Sequence, residues 1–497
     1  SYMLKENKQS IILIPEISLT PQMVERFKGR FGPEIAVFHS RLSDGERFDE
    51  WMRVKLGNTQ IAIGARSAIF LPFENLGLIV IDEEHEASYK SDSDPKFDAR
   101  EIAYMKCELE DCKLILGSAT PSVESYYKST INELSLITIN ERADGAAMPK
   151  VEIVDMREEL MNNNRSIFSK SLHDGITQCL SKNEQVILFL NRRGFSTFVS
   201  CRKCGYVFKC KKCDISLTYH SAGEYLTCHY CGEKEKISKV CPSCGSSYVK
   251  YFGVGTEKIE QEINRIFPSA RTLRMDFDTT RKKNSYEYIY NTFKNKGADI
   301  LIGTQMVAKG LDFKDVTLVG VIAADLSLNL PDYRAFERTF QLLTQVSGRS
   351  GRGSKEGKVV IQTYSADELT IKYAASNDYD SFYKNEIMMR EAMDYPPFAS
   401  ILVITMSSED ENMLIKNIQN VGENLKYKIK DSNKITLLGP CTCGVSKIKN
   451  FYRWQIIIKG DINETIALEI KNSVYELVKN VYSSIRVSID INPSNMI

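Results

Sequence analysis

The stretch Leu76-Gly77-Leu78-Ile79-Val80-Ile81-Asp82-Glu83-Glu84-His85 decides how the rest of the chain is read. It is an unbroken apolar run that ends on acidic residues. A strand covered on both faces has that pattern, and such strands belong to parallel sheets. Ligands of open α/β sheets gather at the carboxyl ends of strands. Asp82 and Glu83 are therefore placed where chemistry is done. Outward from this stretch, apolar runs at 10–15, 60–64 and 112–118 alternate with amphipathic segments and complete one α/β lobe. A second series at 151–155, 185–190, 271–275, 299–303, 318–323 and 358–363 predicts a second lobe. A cysteine-rich segment interrupts it between Leu190 and Val254. The pattern then becomes mixed, with strand expectations at 400–406, 435–438, 454–459 and 486–491, and predicts a C-terminal α+β domain. The expected divisions are 1–146, 147–197, 198–251, 252–375 and 376–497.

Of 497 residues, 43% are hydrophobic and 26% charged, which suits a chain able to bury cores rather than a disordered one. The net charge of +1 means that a nucleic-acid partner has to be met by local patches. No apolar run approaches the roughly 18 residues that a spanning helix needs, so no membrane partner is expected. The start, Ser1-Tyr2-Met3-Leu4-Lys5, does not read as a signal peptide. With eight of the thirteen cysteines in CxxC pairs, a reducing compartment and bound metal are expected rather than disulfides. Cys107, Cys112, Cys179, Cys441 and Cys443 are scattered.

The pairs are Cys201/Cys204, Cys210/Cys213, Cys228/Cys231 and Cys241/Cys244. Two such pairs supply the four thiolates of a structural zinc, so eight ligands predict two closed sites. Spacing alone leaves open nested pairing, which makes a two-stranded arm, or pairing of neighbours. Closed sites shape a surface and do no chemistry. Residues 201–250 hold nine Lys or Arg against four Asp or Glu, a net of +5, interleaved with Tyr206, Phe208, Tyr219, Tyr225 and Tyr230. That mixture suits phosphate contact and base stacking. A protein-docking surface is the alternative.

Further motifs stand in order along the chain. Asp82 can hold Mg²⁺ and Glu83 can polarise a water. Gly117-Ser118-Ala119-Thr120-Pro121 offers small hydroxyls that sense a neighbouring site. Gly303-Thr304-Gln305, with Lys309 and Asp312 beyond, follows a strand of the second series. Gln345-Val346-Ser347-Gly348-Arg349-Ser350-Gly351-Arg352 puts two arginines one helical turn apart, suited to stabilising a transferring phosphoryl group. Each motif is expected at a strand end.

The order of these motifs resembles superfamily 2 helicases. Within that superfamily the match is to the PriA family, also called primosomal protein N′. The residues that carry it are 14–22 (Ile14-Pro15-Glu16-Ile17-Ser18-Leu19-Thr20-Pro21-Gln22), Phe38-His39-Ser40 with Ser43, and 64–70 (Gly64-Ala65-Arg66-Ser67-Ala68-Ile69-Phe70). The acidic box, Leu190-Asn191-Arg192-Arg193-Gly194 and Gly253-Val254-Gly255-Thr256-Glu257 add to them. Tyr395-Pro396-Pro397-Phe398 and Tyr452-Arg453-Trp454-Gln455 extend the likeness to essentially the whole chain.

The resemblance implies two RecA-like lobes with ATP and Mg²⁺ between them and a two-zinc insertion in lobe 2. It implies nested pairing: Cys201, Cys204, Cys241 and Cys244 on one zinc, Cys210, Cys213, Cys228 and Cys231 on the other. Asp82, Glu83, Arg349 and Arg352 would be catalytic. Arg66, Ser67, Glu84, His85, Ser118, Thr120, Thr304, Gln305, Lys309, Asp312 and Gln345 would couple nucleotide to DNA. The implied activity is ATP-dependent 3′→5′ unwinding at stalled or branched forks, which initiates primosome assembly. The implied partners are forked and single-stranded DNA, primosome proteins, single-strand DNA-binding protein and the replicative helicase loader, in a bacterial cytoplasm at the nucleoid. The family has an aromatic-rich loop after the acidic box. Here Tyr89 and Phe97 mark that place in a more polar copy. The sequence departs from the family in having no G-x-x-x-x-G-K-[ST]. A truncated chain with little ATPase activity of its own is one expectation, and a non-catalytic zinc scaffold for forked DNA is the alternative.

Overall fold

The computed structural model describes residues 2–15, 21–32, 35–39, 42–139, 148–190, 198–220, 225–251, 255–280, 285–308, 313–351, 355–430 and 434–496. They divide into two compact units, Ser1–Leu136 and Ile137–Ile497.

The first unit is a parallel sheet of β1 (Gln9–Leu13), β2 (Ala36–Phe38), β3 (Ile61–Gly64), β4 (Leu76–Asp82) and β5 (Lys113–Gly117), in the order β2-β3-β1-β4-β5. Ile11, Leu13, Ala62, Ile79 and Ile81 are fully buried in its core, as continuous apolar strands require. β2 is too short to stand out in the sequence. Helices α1 (Ala99–Glu110) and α2 (Val123–Thr130) flank β5 in the chain.

The second unit opens with β6 (Lys150–Asp155) and β7 (Gln185–Phe189). The cysteine-rich segment follows with β8 (Val199–Cys201), β9 (Thr218–His220), β10 (Tyr225–Thr227), β11 (Lys234–Lys236) and β12 (Val249–Tyr251). β8 pairs β12 at its base, and β9, β10 and β11 form a small antiparallel sheet. β13 (Thr272–Met275), β14 (Ile300–Gly303), β15 (Val316–Val321) and β16 (Lys358–Thr363) complete a parallel sheet ordered β13-β14-β7-β15-β16-β6. Every residue of β7, β14 and β15 is buried. Helices α3 (Gln305–Ala308), α4 (Ala335–Ser347) and α5 (Tyr379–Ala392) belong to this unit.

The unit continues into an antiparallel sheet of β17 (Ser400–Ser408), β18 (Ile435–Ile448), β19 (Phe451–Gly460) and β20 (Arg486–Ile491), ordered β18-β19-β17-β20. Its covering helices are α6 (Glu411–Lys428) and α7 (Glu464–Val478), and Ile404, Ile418, Ile458 and Val474 meet in the core between. β18 runs far past the expected 435–438. Gly439 and Pro440 read as breakers, but register shifts after Leu438 and Thr442 absorb them and the ladder continues. Lys449 and Asn450, both at positive φ, make the two-residue turn into β19. No helix among the described residues is long and apolar enough to cross a membrane.

Candidate functional site

In the first unit, the parallel register sets Asp82 beside Gly117, so β4 and β5 end together. The Glu84 N–H donates to the Gly117 carbonyl at 3.0 Å. His85 Nδ1 lies 2.7 Å from Ser118 Oγ, and that oxygen also accepts the Thr120 N–H at 3.0 Å. The acidic box and the Gly117–Pro121 motif are thus one hydrogen-bonded structure. His85 bridges them and also lies 3.7 Å from a Glu83 oxygen.

Glu84 is not turned toward solvent. It is 1% exposed and accepts from the Ser122 N–H (2.6 Å), the Ser122 hydroxyl (3.1 Å) and the Ser125 hydroxyl (2.9 Å). These donors form the first turn of α2, where a carboxylate meets the positive end of the helix. Burial pushes the Glu84 carboxyl up, against the pull of Arg100 and these donors. Asp82 keeps solvent access, and its Oδ1 accepts the Glu83 N–H at 3.0 Å. The surrounding strand ends partly desolvate it and also push its carboxyl up. A nearby cation would oppose that shift. Glu83 sits at φ +47°. Such backbone costs about 1–3 kcal/mol and concentrates at functional sites.

The loop after the box is tied to it. The Tyr89 hydroxyl donates to the Asp82 carbonyl at 2.6 Å, and Tyr89 is buried. Arg66 donates to the Lys90 carbonyl at 2.7 Å, and Arg100 to the Glu84 carbonyl at 2.9 Å. Phe97 meets Phe70 edge-on at 4.9 Å. Ser67 is exposed on the short turn Arg66–Phe70, and Thr120 is 1% exposed.

In the second unit, Thr304 follows β14 and Gln305 opens α3, which packs against α4. Gln345 lies in the last turn of α4. Arg349 does not continue that helix, nor does it follow a strand. The helix ends at Ser347, and Arg349 occupies the turn before Gly351, whose φ of +71° no helix accommodates. Arg349 is therefore not on a helical face. Arg352, Lys309 and Asp312 lie outside the described residues.

Nothing in the local sequence pattern shows how α4 is held. Arg390 of α5 donates to Glu337 (2.6 Å) and Glu386 (2.9 Å), and all three are at most 5% exposed. Asp332 accepts from Arg338 (3.0 Å), the Arg334 N–H (3.0 Å) and the Met496 N–H (3.2 Å). Burial alone would raise the Asp332 carboxyl, but Arg338, Arg334 and the two N–H donors hold it below the usual carboxylate range. Arg334 also reaches the Pro493 carbonyl at 2.8 Å. Charged residues so spaced read in a sequence as a solvated helix face. Only the fold shows them enclosed.

The cysteines gather in two nested sets, Cys201, Cys204, Cys241, Cys244 and Cys210, Cys213, Cys228, Cys231, with the sulfurs of each within 4.8 Å of one another. The Sγ atoms of Cys201 and Cys244, of Cys204 and Cys241, and of Cys210 and Cys231 are 3.6 Å apart. Four thiolates about 2.3 Å from a zinc have edges of roughly 3.8 Å, so both donor sets fit that ion. A disulfide needs about 2.05 Å. Each CxxC is followed by a residue at positive φ, Gly205, Asp214, Gly232 or Gly245, whose N–H returns to the first cysteine's carbonyl at 2.8–2.9 Å. The repeated turn aims both thiols of a pair the same way. The aromatic residues divide. Tyr206 is exposed, but Phe208 and Tyr230 are core and not available for stacking.

Four known families match parts of the chain. Residues 2–128 match the family described as DEAD/DEAH box helicase, and 247–354 the helicase conserved C-terminal domain. Residues 210–236 match the PriA DNA helicase Cys-rich region (CRR) domain, and 391–494 the primosomal protein N C-terminal domain. The replication restart protein PriA of Bacillus subtilis (strain 168) is 46% identical over 494 residues, covering 99% of this chain and 61% of its own length. Its counterpart in Synechocystis is 43% identical over 502 residues, covering 99% and 59%. That of Rickettsia felis is 37% identical over 493 residues, covering 99% and 75%. The chain thus spans about three fifths of the length of the first two relatives.

Proposed function

This chain belongs to the PriA family, and from that premise we propose that it is part of an ATP-driven DNA helicase that acts at stalled or branched replication forks and initiates primosome assembly. The observation that carries the reading is the joined acidic box: Asp82 and Glu83 at the end of β4, locked through Glu84 and His85 to Ser118–Ser122. ATP with Mg²⁺ supplies the phosphoryl group and the ion that bears its charge. Asp82 holds the ion, and the partial desolvation that raises its carboxyl makes a cation favourable there. Glu83 orients the attacking water. Arg349 of the second unit is proposed as a catalytic residue, suited to stabilising negative charge. His85 carries the state of the box to Ser118 and Thr120.

The loop pinned by Tyr89, Arg66 and Arg100 has one end on the box, so DNA that shifts it moves Asp82 and Glu84 directly. Thr304, Gln305 and Gln345 act as coupling residues in the second unit, and Arg66 and Ser67 do so in the first. The eight cysteines hold two structural zincs. The divisions at 146, 197, 251 and 375 and the cytoplasmic setting belong to this proposal. So do the partners: forked and single-stranded DNA, single-strand DNA-binding protein, primosome proteins and the helicase loader.

The test is fork binding by this chain, and unwinding of a forked duplex with ATP and Mg²⁺ by a form that also carries a G-x-x-x-x-G-K-[ST] loop, because this chain alone is expected to have little ATPase activity. Unwinding that Glu83→Gln abolishes, with fork binding retained, is the expected result. Unwinding that survives Glu83→Gln, or no preference for forked DNA over blunt duplex, would overturn it.

A further inference from the structure

The two cysteine sets differ in what they are packed against. The Cys201/Cys204 turn leans on the six-stranded sheet. A Cβ on Gly205 would lie 2.5 Å from the Tyr364 carbonyl, and Arg202 covers the Tyr364 ring at 4.6 Å. Its partner turn faces solvent: Pro242, Ser243 and Gly245 are exposed, and nothing lies within 4 Å of a Cβ on Gly245.

The second set is enclosed by the antiparallel sheet. His229 and Tyr230, between the ligands Cys228 and Cys231, are 2% and 1% exposed. The His229 carbonyl accepts from Gln455 Nε2 of β19 at 2.8 Å and from the Cys441 thiol of β18 at 3.2 Å. His229 Nδ1 lies 2.9 Å from the Thr442 carbonyl of β18. A Cβ on Gly232 would come within 3.1 Å of the Cys441 Cβ. The Tyr230 hydroxyl accepts the Tyr333 N–H at 3.3 Å, and its ring shares a core with Tyr395, Ile401, Val403 and Ile457.

From this contrast we infer that the metal held by Cys210, Cys213, Cys228 and Cys231 is the pin that docks the antiparallel sheet onto the rest of the second unit, while the metal held by Cys201, Cys204, Cys241 and Cys244 is not. The inference rests on the zinc reading of these cysteines. The metal sets the main-chain turn of 228–231, and that turn presents the His229 carbonyl to Gln455 and Cys441. Unbound, the turn loses its shape and the sheet loses its dock. Linkage makes the effect reciprocal: the docked sheet holds the metal, with couplings commonly of about 5–150-fold in affinity. Cys441 thereby has a role that is not metal ligation. Its thiol is a donor to the knuckle, and burial keeps it protonated, well above the usual thiol range.

The purified zinc protein tests this in two ways. Release of zinc to a chromophoric chelator should be biphasic, with one zinc per chain leaving at least about tenfold more slowly. Gln455→Ala should speed the slow phase alone. Hydrogen exchange across 400–408 and 451–460 should rise in Cys228→Ser and stay as in the parent in Cys244→Ser. A single release phase, a slow phase unmoved by Gln455→Ala, or equal loosening of the sheet by both cysteine variants would overturn the inference with the zinc reading intact. Fewer than about two zincs per chain would instead overturn the reading itself.

Discussion

At the carboxyl ends of β4 and β5, several candidate residues are held by neighbours that touch them. Glu84 is held by Ser122 and Ser125, His85 by Ser118, and the Asp82 main chain by Tyr89. In the second unit, Gln345 and Arg349 come at the far end of α4, while the polar anchors of that helix lie at its beginning, on Asp332, Glu337 and Arg338. The first site is positioned by local hydrogen bonds. The second is positioned through a helix used as a rod, gripped by α5 and by Pro493–Met496. Damage to the first arrangement should stay local, and damage to the second should spread.

The largest effect that would sharpen this contrast is Arg390→Met. It leaves Glu337 and Glu386 buried without their cation and should cost about 3–5 kcal/mol, read as a fall in the denaturant midpoint of the second unit. Adding Glu337→Gln and Glu386→Gln should recover part of it. A loss below about 1 kcal/mol would break the comparison, because the rod would then not be held there. Next comes Asp332→Asn, expected to cost on the order of 2 kcal/mol at neutral pH through its charge-assisted bonds. Its folded carboxyl is held low, so its contribution is present above the ordinary carboxylate range and is lost as pH falls through the folded value. Parent and Asp332→Asn stabilities should therefore converge in acid. Parallel curves would refute the assignment.

Glu84 should show the opposite slope in the first unit. Its folded carboxyl is raised, so its contribution is full below the ordinary carboxylate range and declines as pH rises through the folded value. Glu84→Gln, which keeps an acceptor for Ser122, should flatten that slope. Glu84→Ala should cost about 1–3 kcal/mol by leaving the Ser122 N–H unpaired. The smallest effect is Tyr89→Phe, about 1 kcal/mol, confined in hydrogen exchange to 82–100. Spread of that change across the whole sheet would mean that the first site is no more local than the second.

Most of the parallel strands were legible because two-sided burial writes itself as uninterrupted apolar runs: 185–190 and 358–363 became β7 and β16 nearly residue for residue. β18 was not, since Gly439 and Pro440 look like an end wherever cross-strand pairing does not carry the chain through them. The acidic box is legible as chemistry, but the sequence does not set Glu84 apart from the coupling residues. Nothing in Asp82-Glu83-Glu84 says which carboxylate turns inward, and a left-handed backbone at Glu83 decides it.

The sequence by itself determined the eight metal ligands, because a CxxC turn is short enough for spacing to set geometry. It also determined the acidic strand end, because hydrophobic periodicity is a local property. Only the tertiary structure decided that Phe208 and Tyr230 are core, that Arg390 has two buried carboxylate partners, and that β18 and β19 seal one cysteine set and leave the other open. Apart from the Arg390–Glu386 pair, one helical turn apart, those outcomes depend on contacts between residues more than fifty positions apart in the chain, and local spacing carries no information about which side of a surface a distant segment will cover.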